Sequence, residues 1–310
     1  MGDKGANNSS KFYEALNKVK MKVTGFTFIK NALIYDYPIV EAIKSILPLC
    51  DNFVVAVGQS DDETRKLIES IAPSKIQIID TVWDESLREG GQVLAVETNK
   101  AFMAIAHVSD WAFYIQGDEV IHEQYHKNIY DAMVKYKDNS NVDGLLFKYA
   151  HFYGSYDYIG GASGWYRNEI RVIKNDKSIY SYKDAQGFRK ADNQKLRVKP
   201  IDAYVYHYGW VKEPEAMQRK QENFNKLWHD DQWVENNVVK QDVFHYNNEV
   251  NYLLPFKGSH PMVMQERIKT KNWKFDYDIS FNKLPFKDKL KNFARKYLGW
   301  DIGYKNYRVV

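Results

Sequence analysis

The sequence has little of three things, and each shortage excludes something. One cysteine, Cys50, stands in 310 residues, so no intrachain disulfide framework and no Cys-rich zinc site can form. No stretch approaches the roughly 18 to 20 consecutive apolar residues that a membrane-crossing helix needs. Charge of one sign is not in large excess either: 44 Lys and Arg against 40 Asp and Glu leave +4. That balance is too weak to point to a nucleic-acid partner. A reducing, cytoplasmic compartment is compatible with the single thiol. The opening MGDKGANNSSKFYEALNKVK is polar, without the apolar core of a signal peptide. Residues 1–20 are therefore expected to be a tag or a natural extension outside the fold.

Aromatic residues, by contrast, are plentiful: 23 Tyr, 16 Phe and 8 Trp. Such rings fill cores, and Tyr and Trp also lie flat against sugars or nucleobases while keeping a polar handle. A hydrophobic share of 44% with 27% charged residues is ordinary globular composition. The length suits one large α/β domain with appendages, or two modest domains. The basic charge is uneven and concentrates near the C-terminus.

From Lys22 onward, strand-like and helix-like segments alternate. KVTGFTFI reads as a first strand, and the stretch from Ile39 to Leu47 as a helix with Pro38 tolerated at its start. NFVVAV (52–57) is a second, wholly apolar strand. SDDETRKLIESIA then reads as a helix, with Ser60 or Asp61 as its expected N-cap. IQIID (76–80) is a third strand, 92–108 a helix, and WAFYIQ (111–116) a fourth strand. Continuous apolar strands separated by helices predict a mostly parallel sheet covered on both faces. In such sheets ligands bind beyond the carboxyl ends of the strands. After about residue 140, aromatic strand-like segments predict added, partly antiparallel strands. Residues 213–237 and 283–300 read as helices, the latter amphipathic and basic.

The strand ends carry the chemistry. DWAFYIQGDEVIHE delivers Gly117 and then two adjacent carboxylates, Asp118 and Glu119, to a carboxyl end. A hard divalent cation takes oxygen ligands and shares itself with substrate phosphates, so one or two carboxylates suffice; either acid could instead cap a following helix. IDAYVYHYGWVKEP places His207 at the end of a later aromatic strand. A carboxylate and an imidazole together make a credible Mn²⁺ or Mg²⁺ site, where the ion would neutralise a departing diphosphate.

Taken together, Lys30-Asn31, the following helix, the strand before Gly58, SDDET, the QGDE strand end and HYGW resemble family 2 glycosyltransferases of the GT-A fold. The nearest likeness is to the bacterial lipopolysaccharide-core and capsule-type glucosyltransferase branch, over about residues 22 to 215. The resemblance implies an α/β fold of GT-A type, with a mixed, mostly parallel sheet flanked by helices. It divides the chain into a catalytic domain, 21–215, and a helical, basic C-terminal extension, 216–310. It implies a nucleotide-sugar donor, UDP being the expected nucleotide, a glycan or lipid-linked acceptor, and inversion of configuration. Lys30 and Asn31 match the pair beside the nucleotide base. Gly58 stands where an aspartate is usual, so Asp61 or Asp62 would take the nucleoside-binding role. The Asp-x-Asp motif falls on Gln116-Gly117-Asp118, an amide replacing its first carboxylate. Asp118 is the implied metal ligand, with Glu119 beside it and His207 as a further ligand.

Inverting transfer needs a carboxylate to deprotonate the acceptor hydroxyl. Asp184 in SYKDAQGF is the preferred candidate and Glu169 the next, with Asp157 behind them; Glu169 lies between two arginines and could be an internal ion-pair partner. Trp165, Tyr166 and Trp210 are candidates for stacking on a sugar, or for core packing. Arg219 and Lys220 could approach the diphosphate, or lie on a solvated helix face. Rival readings are weaker. No Gly-rich basic loop follows the first strand, as a sugar nucleotidyltransferase would need, and no G-x-G-x-x-G as in an oxidoreductase. A non-catalytic carbohydrate-binding protein remains the alternative that Gln116 keeps open. Phe286, Leu290, Phe293 and Tyr297 fall on one face of the last helix among lysines. This face could pack on the catalytic domain or dock peripherally on an anionic membrane, on its inner side.

Overall fold

A computed structural model describes residues 21–84, 86–87, 89–237, 241–248, 250, 252–298 and 305–310. The expected extension 1–20 lies outside the described residues. Four parallel strands open the chain: β1 (Val23–Ile29), β2 (Asn52–Gly58), β3 (Ile76–Thr81) and β4 (Trp111–Tyr114), in the order β3-β2-β1-β4. Their alternating side chains serve two cores. Val55 and Val57 of β2 face one, packed under Ile39, Ile43 and Ile46 of α1 (Ile39–Ile46). Val54 and Ala56 face the other, with Phe26 and Phe102. Burial on both sides is why these strands read as unbroken apolar runs.

Helices α2 (Thr64–Ile71), α3 (Gln92–Met103) and α4 (His126–Tyr136) complete the flanking layers. Two expectations shift here. The second helix begins at Thr64 after Glu63, not after Ser60 or Asp61. Those two residues are held by the loop after β1: Ser60 Oγ accepts from the Asn31 amide, and Asp61 pairs with the Asn31 side chain. The third helix stops at Met103, where Lys177 Nζ donates to the carbonyls of Phe102 and Ile105 at 2.8 and 3.0 Å.

Beyond β4 the sheet becomes mixed. β5 (Glu119–Ile121), β6 (Gly144–Tyr153), β7 (Tyr158–Gly160) and β8 (Asn168–Lys174) follow. β8 lies antiparallel between β4 and β6. A separate small sheet contains β9 (Ile179–Tyr182), β10 (Gly187–Lys190) and β11 (Gln194–Lys195). The long β12 (Arg197–Trp210) runs parallel to β6 and antiparallel to β5. Mostly parallel strands under helices on both faces, with C-terminal helices, are thus the architecture.

The segment after residue 215 is less purely helical than expected. Besides α5 (Pro214–Lys226), α6 (Asp231–Asn237), α7 (Gln265–Lys269) and α8 (Phe286–Leu298), it supplies two strands. β13 (Leu253–Pro255) pairs with β7, and β14 (Arg308–Val309) with β12. Its Phe244, Tyr246 and Leu253 share a buried cluster with Tyr153 and Met217, so the extension completes the sheet's far end.

Candidate functional site

The register of one short ladder builds the site. β5 pairs with β12 so that Glu119 opposes His207. Asp118, one residue earlier, accepts the Tyr208 amide through its backbone oxygen at 2.8 Å. Two strand ends ninety residues apart in sequence are thereby joined: Asp118 Oδ1 faces His207 Nε2 at 3.6 Å. Gly209 keeps the space beside them open, since a Cβ there would lie 2.7 Å from both Asp118 Oδ2 and His207 Nε2. Gly117 is glycine for a different close approach, its absent Cβ falling 3.0 Å from Ile29 Cδ1.

Hydrogen bonds fix which nitrogen of His207 faces the acid. His151 Nε2 lies 2.7 Å from the Tyr166 carbonyl, which can only accept, so that nitrogen carries a hydrogen. Burial and the neighbouring His207 push the His151 pKa down to about 3, so its ring is neutral and its Nδ1 bears a lone pair. That Nδ1 stands 3.0 Å from His207 Nδ1, which must therefore donate. Nε2 is then the nitrogen that His207 turns toward Asp118. A carboxylate and an imidazole lone pair face to face require a positive charge between them, either a proton or a metal ion.

Cations crowd the same spot. Lys220 Nζ lies 3.1 Å from Asp118 Oδ2 and donates to the Gly209 carbonyl at 2.9 Å. Lys212 is 0% exposed, its ammonium over the Tyr37 ring at 4.8 Å. Burial, then Lys220, bring the Lys212 pKa down to about 7. Burial alone would raise the Asp118 carboxyl, but Lys220, His207 and Lys212 outweigh it and hold the group well below the usual range. Lys212 and the tautomer-setting His151 carried no motif in the sequence. Arg219, beside Lys220 on α5, is turned out to solvent.

Glu119 belongs to another structure. It is fully buried, takes a two-pronged bond from Arg171 (Nε at 2.8 Å, Nη2 at 2.7 Å) and accepts from Tyr149 Oη at 2.7 Å. The amide of Gln116 also donates to it at 3.1 Å. With its lone pairs occupied, Glu119 is spent on holding the strand end rather than presented as a metal ligand. Among the described residues, no group of three or more His, Cys, Asp or Glu side chains could hold a metal ion. The candidate ligands are the pair Asp118 and His207. Their oxygen and nitrogen donors and the gap kept by Gly209 fit Mn²⁺ or Mg²⁺, with the remaining positions left to phosphate oxygens and water.

Arg171 also ties this strand end to the turn carrying Asp184, donating from Nη1 to the Gln186 carbonyl at 3.0 Å. Gln116 Nε2 donates to Ala185 at 3.3 Å, so its side chain serves this turn. Lys183 and Ala185 both have positive φ, a tight reversal that leaves Asp184 at its tip. Burial raises the Asp184 pKa although the side chain is half-buried, which strengthens it as a base. Glu169 is 4% exposed, has an Oε2 without a hydrogen-bond partner among the described residues, and is pushed up to about 8 by burial. It is protonated at neutral pH. Arg171 lies near but donates its strong bonds to Glu119. Asp157 accepts from Ser155 in its own turn.

The nucleoside candidates lie at the ends of β1 and β2. Asn31 and Asp61 bond each other reciprocally at 3.0 and 2.8 Å. Asp62 accepts the amides of Leu33, Ile34 and Thr64. These three brace the loops. Lys30 lies 5.6 Å from the Trp83 ring. Beside them opens a cleft of about 430 Å³ lined by Gly58, Ser60, Asp62, Arg65 and Thr81. Trp83 Nε1, packed at Gly58, has no partner among the described residues. On the other flank Trp165, Tyr166 and Trp210 gather around His151 and Tyr153: Trp165 at 5.0 Å and Tyr166 at 4.3 Å from His151, Trp210 stacked on Tyr153 at 5.7 Å. All three are half-buried.

No protein-family model matches the chain, and no curated protein matches it. Solved structures are similar to it at low identity. TarS of S. aureus is 17% identical with a TM-score of 0.42, over 66% of this chain and 39% of that one. The 4-diphosphocytidyl-2C-methyl-D-erythritol synthase of Anaerococcus prevotii is 10% identical with a TM-score of 0.36, over 68% of this chain and 97% of that one. Glucosyl-3-phosphoglycerate synthase from Mycobacterium tuberculosis, solved with Mg²⁺ and uridine diphosphate, is 16% identical with a TM-score of 0.30, over 46% of this chain and 47% of that one. This chain thus spans well under half of TarS.

Proposed function

We propose that this chain is a glycosyltransferase of GT-A type, similar to family 2, that moves a sugar from a nucleotide diphosphate, UDP being the proposed carrier, to a glycan or lipid-linked acceptor. The observation that carries the reading is the Asp118–His207 pair, facing across the space kept by Gly209 and backed by Lys220 and Lys212. A concentration of buried cations around a single strand-end carboxylate suits a diphosphate.

Asp118 and His207 would hold Mn²⁺ or Mg²⁺, which when bound supplies Lewis-acid neutralisation of the leaving diphosphate. Lys220 and Lys212 draw the diphosphate into the crevice and stabilise its charge as it departs. The nucleoside would enter the cleft beside Lys30 and Gly58, with Asn31, Asp61 and Asp62 keeping that rim in shape. Trp165, Tyr166 and Trp210 offer apolar faces to sugar rings. Asp184 accepts the proton of the acceptor hydroxyl while the new C–O bond forms at the anomeric carbon. The bond from that carbon to the diphosphate breaks on the opposite face, which inverts the configuration. We place the enzyme in the cytoplasm, where its one thiol, the buried Cys50, stays reduced.

Turnover of a panel of nucleotide sugars, read as release of free nucleotide diphosphate with and without Mn²⁺, tests the reading. Asp118→Asn is expected to lower it by about 100-fold or more, the scale of losing a principal transition-state contact. Turnover unchanged by Asp118→Asn would overturn the assignment.

A further inference from the structure

The C-terminal helix α8 (Phe286–Leu298) is attached the wrong way round for a surface helix. Amphipathic helices of globular proteins bury their apolar stripe and expose their polar side. Among the described side chains of the helix, the inward positions are Asp288, 9% exposed, and Ala294, 5% exposed. Asp288 accepts a hydrogen bond from Ser163 Oγ, which pins the helix to the loop that leads into Trp165. The apolar stripe points away. Phe286, Leu290, Phe293 and Tyr297, spaced by four, three and four residues, are 81, 58, 55 and 63% exposed. The rings of Phe293 and Tyr297 lie side by side on this stripe, centroids 4.8 Å apart. Just before the helix, Phe281 is 70% and Ile279 48% exposed, which lengthens the same apolar surface. Among the described residues this stripe is not packed on the catalytic domain, one of the two sequence readings.

Charge identifies what would cover it. Within the helix sequence Lys287, Lys289, Lys291, Arg295 and Lys296 stand against a single acid, Asp288, and that acid is already engaged inward. Lys283, Lys287 and Lys289 are exposed beside the apolar stripe. A second copy of this chain would bring like charges together, and an apolar protein groove would leave the lysines unmatched. An anionic bilayer surface matches both components, since aromatic and aliphatic side chains enter the headgroup boundary while lysines meet lipid phosphates.

We infer that α8, with Phe281 and Ile279, is a peripheral docking surface for anionic membranes. Because Ser163 anchors α8 next to Trp165, docking would bring the aromatic flank of the site close to the lipid surface.

Flotation of the full chain with vesicles of phosphatidylcholine containing 30% phosphatidylglycerol, against pure phosphatidylcholine, reads it directly. Roughly tenfold more protein should float with the anionic vesicles, and added salt should reduce that excess. Phe286→Ser with Leu290→Ser and Phe293→Ser should abolish flotation while leaving the thermal midpoint and the release of nucleotide diphosphate unchanged, since all three side chains are already in solvent. Lys287→Glu with Lys289→Glu should remove the preference for anionic vesicles without touching the apolar stripe. Equal flotation of the wild type and the triple serine variant would overturn the inference. So would a concentration-dependent dimer of the wild type in sedimentation that the triple variant lacks, because the stripe would then be a protein interface.

Discussion

Asp118 and Glu119 are adjacent carboxylates with opposite surroundings. Asp118 lies among Lys220, His207 and Lys212 at the edge of a crevice; Glu119 is sealed with Arg171, and both members of that pair are 0% exposed. Removing one partner of a fully buried ion pair leaves the other charged and desolvated, which costs about 3–5 kcal/mol. Glu119→Ala should therefore destabilise the fold by about that amount in denaturant titration, and an unchanged midpoint would contradict the structural role. The sequence reading found both carboxylates but assigned both to a metal. Nothing local separates them, because Arg171 arrives from β8 and only the sheet shows which acid it meets. The same holds for His151, whose effect on His207 depends on the pairing of β6 with β12.

At the scale of elements, the parallel strands were legible because burial on both faces leaves uninterrupted apolar runs, as in NFVVAV. What local pattern could not show was the β5–β12 ladder, a contact of three residue pairs across eighty-odd positions. It could not show either that Ser60 and Asp61 tie two loops together instead of capping α2, or that Asp62 joins the loop after β1 to the Thr64 amide. That clamp has a measurable weight. Asn31 sits at φ 53 and exchanges two hydrogen bonds with Asp61; Asn tolerates this left-handed conformation better than most residues. Asn31→Ala should cost roughly 1–3 kcal/mol through the lost bonds and added strain. It should also weaken nucleotide binding by loosening the rim of the 430 Å³ cleft. Differential scanning calorimetry and nucleotide titration would check the two effects separately.

For the whole molecule, stability should depend on pH through Glu169. Its folded-state pKa is raised from 4.5 to about 8 by burial. A carboxyl raised on folding binds its proton more tightly in the folded state. Its contribution is therefore fully present below about pH 4.5 and is lost as pH rises toward 8. Glu169→Gln, which is neutral throughout, should match the wild type near pH 4 and exceed it near pH 9, by on the order of 5 kcal/mol. A constant difference across that range would show that Glu169 is ionised in the fold. The net charge of +4 concealed two local concentrations, the cations around Asp118 and those along α8, which composition alone could not place. The lysines along α8 were legible in the sequence, whereas the cations around Asp118 could be found only once β12 and α5 were seen in position.

The central claim is that Asp118 and His207 form one cation-assisted diphosphate site. Calorimetric titration of UDP into the protein, with and without Mn²⁺, tests it most directly, using wild type, Asp118→Asn and Gly209→Val. The wild type should bind UDP more tightly with Mn²⁺ by about tenfold or more, since a cation held by Asp118 and His207 would neutralise diphosphate charge. Asp118→Asn should lose that gain, and Gly209→Val should lose it by filling the space between the two ligands. UDP binding that ignores Mn²⁺ and survives both substitutions would contradict the account.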